Sequence, residues 1–256
     1  MLIAERQARL QTLIQTRGIC GLETLARELH VSQSTVRRDI EMLEQRGLVK
    51  PTHGGVIWAG DGGQQGRPYE FDQRLDVSAE AKGRIAREAR KLVEPGQTIF
   101  IDGGTTSYSF ARELAGLPLQ IVTNSLPIAS LFLNDDNVEL VVTGGLLYPR
   151  YGVFLGPSAE QAIDSVHVTT LFLSAAALHR GVLYNQNLLL VESQRRMIRQ
   201  AQRIVLLLDA TKFARQTLSR LCDLAEMDVI VTDEAPSKDE LKFIREADCR
   251  LIVAKT

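Results

Sequence analysis

Two groups of residues have types and spacings that could do chemistry. The first is the run SQSTVRRD, Ser32 to Asp39, in which Ser32, Gln33, Ser34 and Thr35 stand just ahead of Arg37 and Arg38. Short polar side chains at a helix start, together with its unpaired N–H groups, can approach phosphate oxygens. An arginine one turn further on can meet O6 and N7 of a guanine with paired hydrogen bonds, or clamp a phosphate. The second group is a set of short polar runs, each ending an apolar stretch: D102-G-G-T-T, T123-N-S, T143-G-G, S174-A-A, D209-A-T-K and T232-D. Of these, Gly103, Gly104, Thr105 and Thr106 could cradle an anion with backbone N–H groups and hydroxyls at a helix start. Asp102 could accept from a sugar hydroxyl, and Lys212 could meet a negative charge.

The first group requires a helix that keeps this polar end outward. Val36, Ile40 and Leu43, spaced by four and three, share one apolar face, so Gln33, Ser34, Arg37 and Arg38 point away from it. Ser32 is a good N-cap and Gly47 a good residue to follow the last turn. Upstream, the spacing predicts helices over about 3–16 and 22–29. The first has Leu10, Leu13 and Ile14 inside and Arg6 and Arg9 outside; the second buries Leu22, Leu25, Ala26 and Leu29. Asp39 would repel a phosphate and is expected to anchor its helix instead. Three short helices with a tight turn before the third describe a helix-turn-helix. LVKPTHGGVIW then reads as a two-stranded wing with His53, Gly54 and Gly55 near its tip. A plain helical module with a solvated face leaves unexplained why hydroxyls and arginines gather at one helix end.

The second group requires a sheet whose strand ends converge. SAEAKGRIAREARKLVE reads as a helix, closed by Pro95-Gly96, and the apolar strands TIFID, LQIVTN, VELVVTG, TTLFLSA, RIVLLLD, DVIVTD and RLIVA follow, most of them separated by helical segments. Near-continuous apolar strands alternating with helices predict an α/β domain with a mostly parallel sheet covered on both faces. In such sheets ligands bind beyond the carboxyl ends of the strands, where these polar runs fall. Taken singly, a Gly-Gly after a strand is usually only a tight turn; the convergence is what points to a small polar ligand.

Between the two lies AGDGGQQGR, Ala59 to Arg67, with four glycines in nine residues, which reads as a flexible connector. The expected organisation is therefore a DNA-binding domain over 1–58, a linker over 59–69 and a sensing and oligomerisation domain over 70–256. Hydrophobic residues make up 45% and charged residues 24% of the chain, ordinary for a globular protein. Net charge is −1, and the first 58 residues hold eight basic against six acidic side chains, too slight an excess to indicate nucleic-acid binding by charge alone. The three cysteines are far apart with no CxxC pair, which argues against a disulfide framework or zinc site and for a reducing cytoplasm. No apolar run approaches the ~20 residues of a membrane span. No metal or cofactor is expected.

The run Arg6-x3-Leu10-x3-Ile14, then SQSTVRRDI and the trailing H53-G-G, resembles the N-terminal signature of the DeoR family of bacterial sugar-metabolism regulators. By that resemblance Ser32, Ser34, Thr35, Arg37 and Arg38 read double-stranded operator DNA, with His53, Gly54 and Gly55 as the wing contact. Most of residues 70–256 resembles the family's effector domain, whose fold is shared with ribose-5-phosphate isomerase. The matching pieces are Arg74, Lys82, D102-G-G-T-T, T123-N124, G144-G145, G156-P-S-A-E, Glu192 and D209-A-T-K-F. The resemblance implies a phosphorylated sugar as effector. Gly103 to Thr106, Lys82 and Arg74 are then assigned to the phosphate, and Asp102, Asn124, Glu192 and Lys212 to the sugar. Arg74 and Lys82 could equally form a salt bridge on a surface helix, and Glu192 could be a solvated helix residue; His167 and His179 read as structural. Where family members carry a Gly-Ala-Asp-Gly-Ile segment, this chain has SAAALHRG, Ser174 to Gly181. Its S-A-A…H pattern points, by resemblance, to deoxyribose 5-phosphate as a candidate.

Two functions of different class follow. One is a ligand-controlled transcriptional repressor, acting as a homodimer or higher homo-oligomer. The other is a sugar-phosphate isomerase carrying an accessory DNA-binding domain, for which Asp102, Glu192 and Lys212 would supply acid–base chemistry. Fold kinship alone does not carry that activity, and no carboxylate is committed to it.

Overall fold

Serine 32 starts the third helix by accepting the backbone N–H of Thr35 both at Oγ, at 3.2 Å, and at its carbonyl oxygen, at 3.0 Å. This capping bond sits in the N-terminal part of a computed structural model that describes residues 3–17, 19–45, 48–52, 55–58 and 71–255. Gly47, His53, Gly54 and the connector over 59–69 lie outside the described residues. The chain divides into two compact units, Met1–Glu70 and Phe71–Thr256.

In the first unit α1 (Ile3–Arg17), β1 (Ile19–Gly21), α2 (Leu22–Leu29) and α3 (Gln33–Gln45) precede β2 (Val49–Thr52) and β3 (Gly55–Trp58). The strands form one antiparallel sheet in the order β1-β3-β2, so the wing has a third strand that the sequence pattern did not reveal. Leu10, Ile14, Leu25, Leu29, Val36, Ile40 and Leu43 close a core onto Val49 and Val56. The turn between α2 and α3 passes through His30 at φ +54°. Arg6, expected outside the core, instead donates from Nε and Nη2 to the two oxygens of Asp39 at 2.6 and 3.1 Å, and Gln7 Nε2 adds a third bond at 3.2 Å. Asp39 is 3% exposed and ties α3 to α1, the anchoring role expected of it.

The second unit begins with α4 (Phe71–Asp76) and α5 (Ala79–Arg90). Then come β4 (Thr98–Ile101), α6 (Thr105–Arg112), β5 (Leu119–Thr123), α7 (Leu126–Leu131), β6 (Val138–Val142), the hairpin β7 (Leu146–Tyr148) and β8 (Val153–Leu155), and α8 (Pro157–Asp164). The remainder is β9 (Val168–Ser174), β10 (Ala177–His179), β11 (Val182–Asn185), α9 (Leu188–Arg199), β12 (Ala201–Leu207), β13 (Ser219–Asp223), β14 (Val229–Thr232), α10 (Lys238–Glu246) and β15 (Arg250–Val253). Seven of these strands make one parallel sheet in the order β15-β14-β12-β9-β4-β5-β6.

Both faces of that sheet are apolar. Ile99, Ile101, Phe172, Val205 and Val231 pack on Ile85, Phe110 and Ile128 of α5, α6 and α7. Phe100, Leu171, Leu173, Leu206 and Ile230 pack with Ile163, Val191, Met197 and Ile244 of α8, α9 and α10. Burial on two sides is why these strands read as continuous apolar runs. The chain order reverses between β4 and β9, the neighbours from which the sheet grows outward in opposite directions. No helix among the described residues is long and apolar enough to cross a membrane.

Two glycines predict opposite outcomes. A Cβ on Gly55 would lie 2.3 Å from the carbonyl oxygen of Cys20 in the neighbouring strand, and backbone cannot yield cheaply. Gly55→Ala is expected to destabilise the N-terminal unit by about 1–3 kcal/mol, read as lost amide protection in β1–β3 by hydrogen exchange. A Cβ on Gly83, inside α5, meets only Arg87 Nη1 at 3.4 Å. Gly83→Ala is expected to raise the stability of the second unit by up to ~1 kcal/mol.

Candidate functional site

On α3 the core positions Val36, Ile40 and Leu43 are buried, which leaves Ser32, Gln33, Ser34, Arg37 and Arg38 exposed and Thr35 half-buried. Ser32 Oγ lies 2.8 Å from Ser34 Oγ and 2.9 Å from Thr35 Oγ1, so the three hydroxyls form one cluster over the first turn. Neither Arg37 nor Arg38 has an ion-pair or hydrogen-bond partner among the described residues. Two unpaired guanidiniums beside a hydroxyl cluster and an N-terminal positive dipole end form a surface matched to polyanion. Gly55 does not belong to it: it is buried, pressed against Cys20, and its lack of a side chain serves packing of the wing.

In the second unit the sequence-assigned residues fall around the point where the strand order reverses. Asp102 follows β4 and is 3% exposed. Its Oδ2 accepts from Gln194 Nε2 at 2.7 Å, and the same nitrogen donates to the carbonyl of Ser174, at the end of β9, at 3.0 Å. Gln194 Oε1 in turn accepts from Asn185 Nδ2 at 3.0 Å. Burial pushes the Asp102 carboxyl up to about 7, against the opposing pull of the Gln194 bond and of Gly103, Asn124 and Ser174. Asn124 is buried, and its Oδ1 accepts the Gly103 N–H at 3.1 Å, so that donor is engaged within the chain rather than held for an anion.

Gly104, at φ +152°, precedes α6, and a Cβ there would lie 2.5 Å from Ser174 Oγ and 3.8 Å from Ser107 Oγ. Among the described residues the backbone N–H groups of Thr105, Thr106 and Ser107 have no acceptor, and Ser107 Oγ, in a fully buried residue, has no hydrogen-bond partner. Sequence reading had not singled out Ser107, since it stands one residue beyond the Gly-Gly-Thr-Thr run. This helix start has Asp102 on one side and Ser174 on the other, and free N–H groups of this kind can hold an anion.

The cations form a neighbouring set. Lys82 is 4% exposed, and its Nζ donates to the carbonyls of Arg74 and Leu75 at 2.5 and 3.4 Å, closing the C-terminal end of α4. Burial pushes the Lys82 ammonium down to about 8, with Asp209 opposing and Arg74 and Lys212 adding to the shift. This is neither the expected phosphate contact nor a surface salt bridge: the ammonium is held by main-chain carbonyls. The Arg74 guanidinium stands 5.2 Å from the centre of the Tyr151 ring, and α4 meets α6 through Phe71 and Tyr108 at 5.3 Å. Lys212 is half-buried, its backbone N–H donates to the Asp209 carbonyl at 3.0 Å, and its ammonium has no hydrogen-bond or ion-pair partner among the described residues.

One assigned residue does not join either set. Glu192 is exposed and pairs with Arg195 at 3.1 Å along the outside of α9. Gln194, about 200° further round the same helix, faces Asp102 instead. Hairpin β10–β11 also escaped the sequence reading. Its two-residue loop is Arg180-Gly181, at φ +48° and +74°, a pairing without the usual asparagine or aspartate signal. Among the described residues no cluster of three or more His, Cys, Asp or Glu could hold a metal ion.

Comparison with known proteins bears on both units. The model of the DeoR-like helix-turn-helix domain matches residues 6–60, and that of the DeoR C-terminal sensor domain matches residues 77–234. A putative aga operon transcriptional repressor of Escherichia coli O157:H7 is 30% identical over 98% of this chain and 93% of its own length. An L-fucose operon activator of Haemophilus influenzae is 28% identical over 94% of this chain and 96% of its own. Among solved structures, a ribose 5-phosphate isomerase A from Methanocaldococcus jannaschii superposes with a TM-score of 0.40 at 21% identity, covering 53% of this chain and 54% of that one.

The Asp102 titration has a consequence for stability. Its folded value, raised to about 7 from 3.8, means the folded state binds more protons than the unfolded one between those limits. The stability it contributes is therefore complete below about pH 4 and is lost as pH rises towards 7, at roughly 1.4 kcal/mol per pH unit at most. Asp102→Asn is expected to flatten this part of the stability–pH curve and to raise the melting temperature at pH 8 relative to the parent. Calorimetric unfolding from pH 5 to 8 checks both.

Proposed function

This chain belongs to the DeoR family of DNA-binding transcriptional regulators, and from that premise we propose that it is the repressor of a carbohydrate-catabolism operon whose hold on DNA is controlled by a phosphorylated sugar. The observation that carries the ligand half is the start of α6, with three N–H groups lacking acceptors and the Ser107 hydroxyl buried without a partner. A phosphate there satisfies all of these donors at once. Asp102 stands beside it as an acceptor for a sugar hydroxyl, with Asn124 fixing the Gly103 main chain next to it. Lys212 supplies a free ammonium for the ligand's negative charge. Arg74 and Lys82 act behind it, ordering α4 and the local charge.

The DNA half rests on α3. Ser32, Gln33, Ser34 and Thr35 approach the phosphates, and Arg37 and Arg38 reach into the major groove or clamp the backbone. His53 and Gly54 are carried as wing contacts by family resemblance. One relative is named as a putative repressor of an aga operon and another as an activator of an L-fucose operon. Repression asks only that the operator be occupied and released, which a DNA-reading unit joined to a sensor accomplishes without further surfaces. A single helix-turn-helix reads too few base pairs for an operator, so the repressor acts as a homodimer or higher homo-oligomer. Exposed Val141 and Val142 on edge strand β6, with Leu146 beyond them, supply apolar surface for self-association.

An isomerase has one feature in its favour, a buried carboxyl at Asp102 that burial pushes up to about 7. Against it, Glu192 lies on the outside of α9, and the groups acting on Asp102 are Gln194, Gly103, Asn124 and Ser174, none of which can relay a proton as acid or base.

Arg37→Ala is expected to weaken operator binding and to relax base preference at one position by about 1–3 kcal/mol, measured by fluorescence anisotropy on the operator and on single-base variants of it. Equal affinity of parent and variant for operator and for random DNA would remove α3 from the reading. Ser107→Ala deletes a hydroxyl that makes no bond in the folded chain, so its melting temperature is expected to stay level or rise. Affinity for the phosphorylated sugar is expected to fall about tenfold, the scale of one hydrogen bond to a charged group, in calorimetric titration.

A further inference from the structure

The connections of Gln194 form a chain across the sheet edge that neither the sequence pattern nor the family assigns. Its side-chain nitrogen bridges Asp102 Oδ2 on β4's end and the Ser174 carbonyl on β9's end, at 2.7 and 3.0 Å, while its oxygen is held by Asn185 of β11 at 3.0 Å. Gln194 is 3% exposed. The amide has one possible orientation, because turning it over would set its oxygen against a carboxylate and a carbonyl and its nitrogen against the Asn185 amide. Asn185 thus fixes Gln194, and Gln194 fixes the carboxyl group that stands at the reversal of strand order.

We propose that Gln194 is a positioning residue for the ligand site: held by Asn185, it orients the Asp102 carboxylate, favours its charged form, and so sets the pH above which the crevice accepts a hydroxyl-bearing ligand. The inference rests on the sugar-phosphate reading of the site for its last clause only. With Oδ2 engaged by Gln194, a ligand hydroxyl that reaches Asp102 donates to Oδ1, and it does so when the carboxylate is ionised. The groups that act on Asp102 from the elements around it are Asn124 after β5, Ser174 of β9, Gly103 ahead of α6 and Gln194 of α9; none of them titrates. Asp102 therefore responds to pH as a single group whose position is governed by its donors. Removing the Gln194 donor leaves burial less opposed and moves the titration upward. Replacing it with a carboxyl group makes the two acids share a proton, so that the last proton leaves the pair at a higher pH.

The test uses the full-length protein, Gln194→Met and the isosteric Gln194→Glu. The Asp102 carboxyl carbon is followed by carbon-13 NMR from pH 5 to 9 and assigned by its loss in Asp102→Asn. In parallel the affinity for ribose 5-phosphate and 2-deoxyribose 5-phosphate is measured at each pH. The expected result is an upward move of the carboxyl midpoint by about one pH unit in either variant, the scale of a lost charge-assisted hydrogen bond, with the affinity profile moving by the same amount. At pH 7 this reads as a several-fold loss of affinity that recovers at pH 9. A midpoint that stays where it is in the variants overturns the role given to Gln194, whatever the ligand proves to be. A midpoint that moves while sugar-phosphate affinity does not keeps that role and overturns Asp102 as the group that meets the sugar. A variant that loses its structure is replaced by the other, since the two reach the same shift by different physics.

Discussion

Burying a carboxyl group at the middle of an apolar sheet edge costs several kcal/mol unless hydrogen-bond donors replace the lost water, and the second unit is arranged around meeting that demand at Asp102. The residue sits at the end of β4, where the strand order reverses, and is 3% exposed. Gln194 enters from α9, Asn124 from the end of β5, and the Ser174 main chain from β9. Even so the donors do not fully offset burial, and the carboxyl stays near neutrality. A ligand that brings further donors into the same space completes the set. The start of α6 beside it is the mirror image: donors without acceptors, which an anion completes. A sugar phosphate, the ligand proposed above, carries both kinds of group.

The first unit meets a simpler constraint in a related way. A recognition helix must show polar groups to DNA while its other face closes a core, and its one acidic residue among the arginines must not face a phosphate. Asp39 is turned inward and held by Arg6 and Gln7, which fixes α3 against α1, while Arg37 and Arg38 have no side-chain partner among the described residues. The same carboxylate that would weaken binding on the surface gives the helix its placement from the inside.

How much of this could be read beforehand follows from the range of the interactions. The three helices of the first unit came from local signals, the Ser32 cap and apolar spacings of three and four, and the structure places them within a residue or so of that reading. The parallel sheet followed from apolar runs of strand length. Asp102, Asn124 and the Gly-Gly-Thr-Thr turn could be proposed from sequence because a strand end is a local feature. Gln194 was not, because which residue of α9 faces β4 depends on how the helix is rotated on the sheet, and Glu192 was singled out by family resemblance. Lys82 was misplaced for a similar reason: its partners are main-chain carbonyls of α4, and no residue type announces them. Hairpin β10–β11 stayed hidden because Arg180-Gly181 adopts a turn usually marked by asparagine or aspartate before glycine.

The central claim is that the crevice above Asp102 and the start of α6 takes a phosphorylated sugar and thereby governs the DNA-reading unit. The most direct measurement is fluorescence anisotropy of the full-length protein bound to its own upstream DNA, titrated with phosphorylated sugars and with the unphosphorylated parent of each. Release by a phosphorylated sugar at concentrations where its parent does nothing is the predicted result. Release by parent and phosphate alike, or a DNA complex indifferent to every member of the panel, would contradict it.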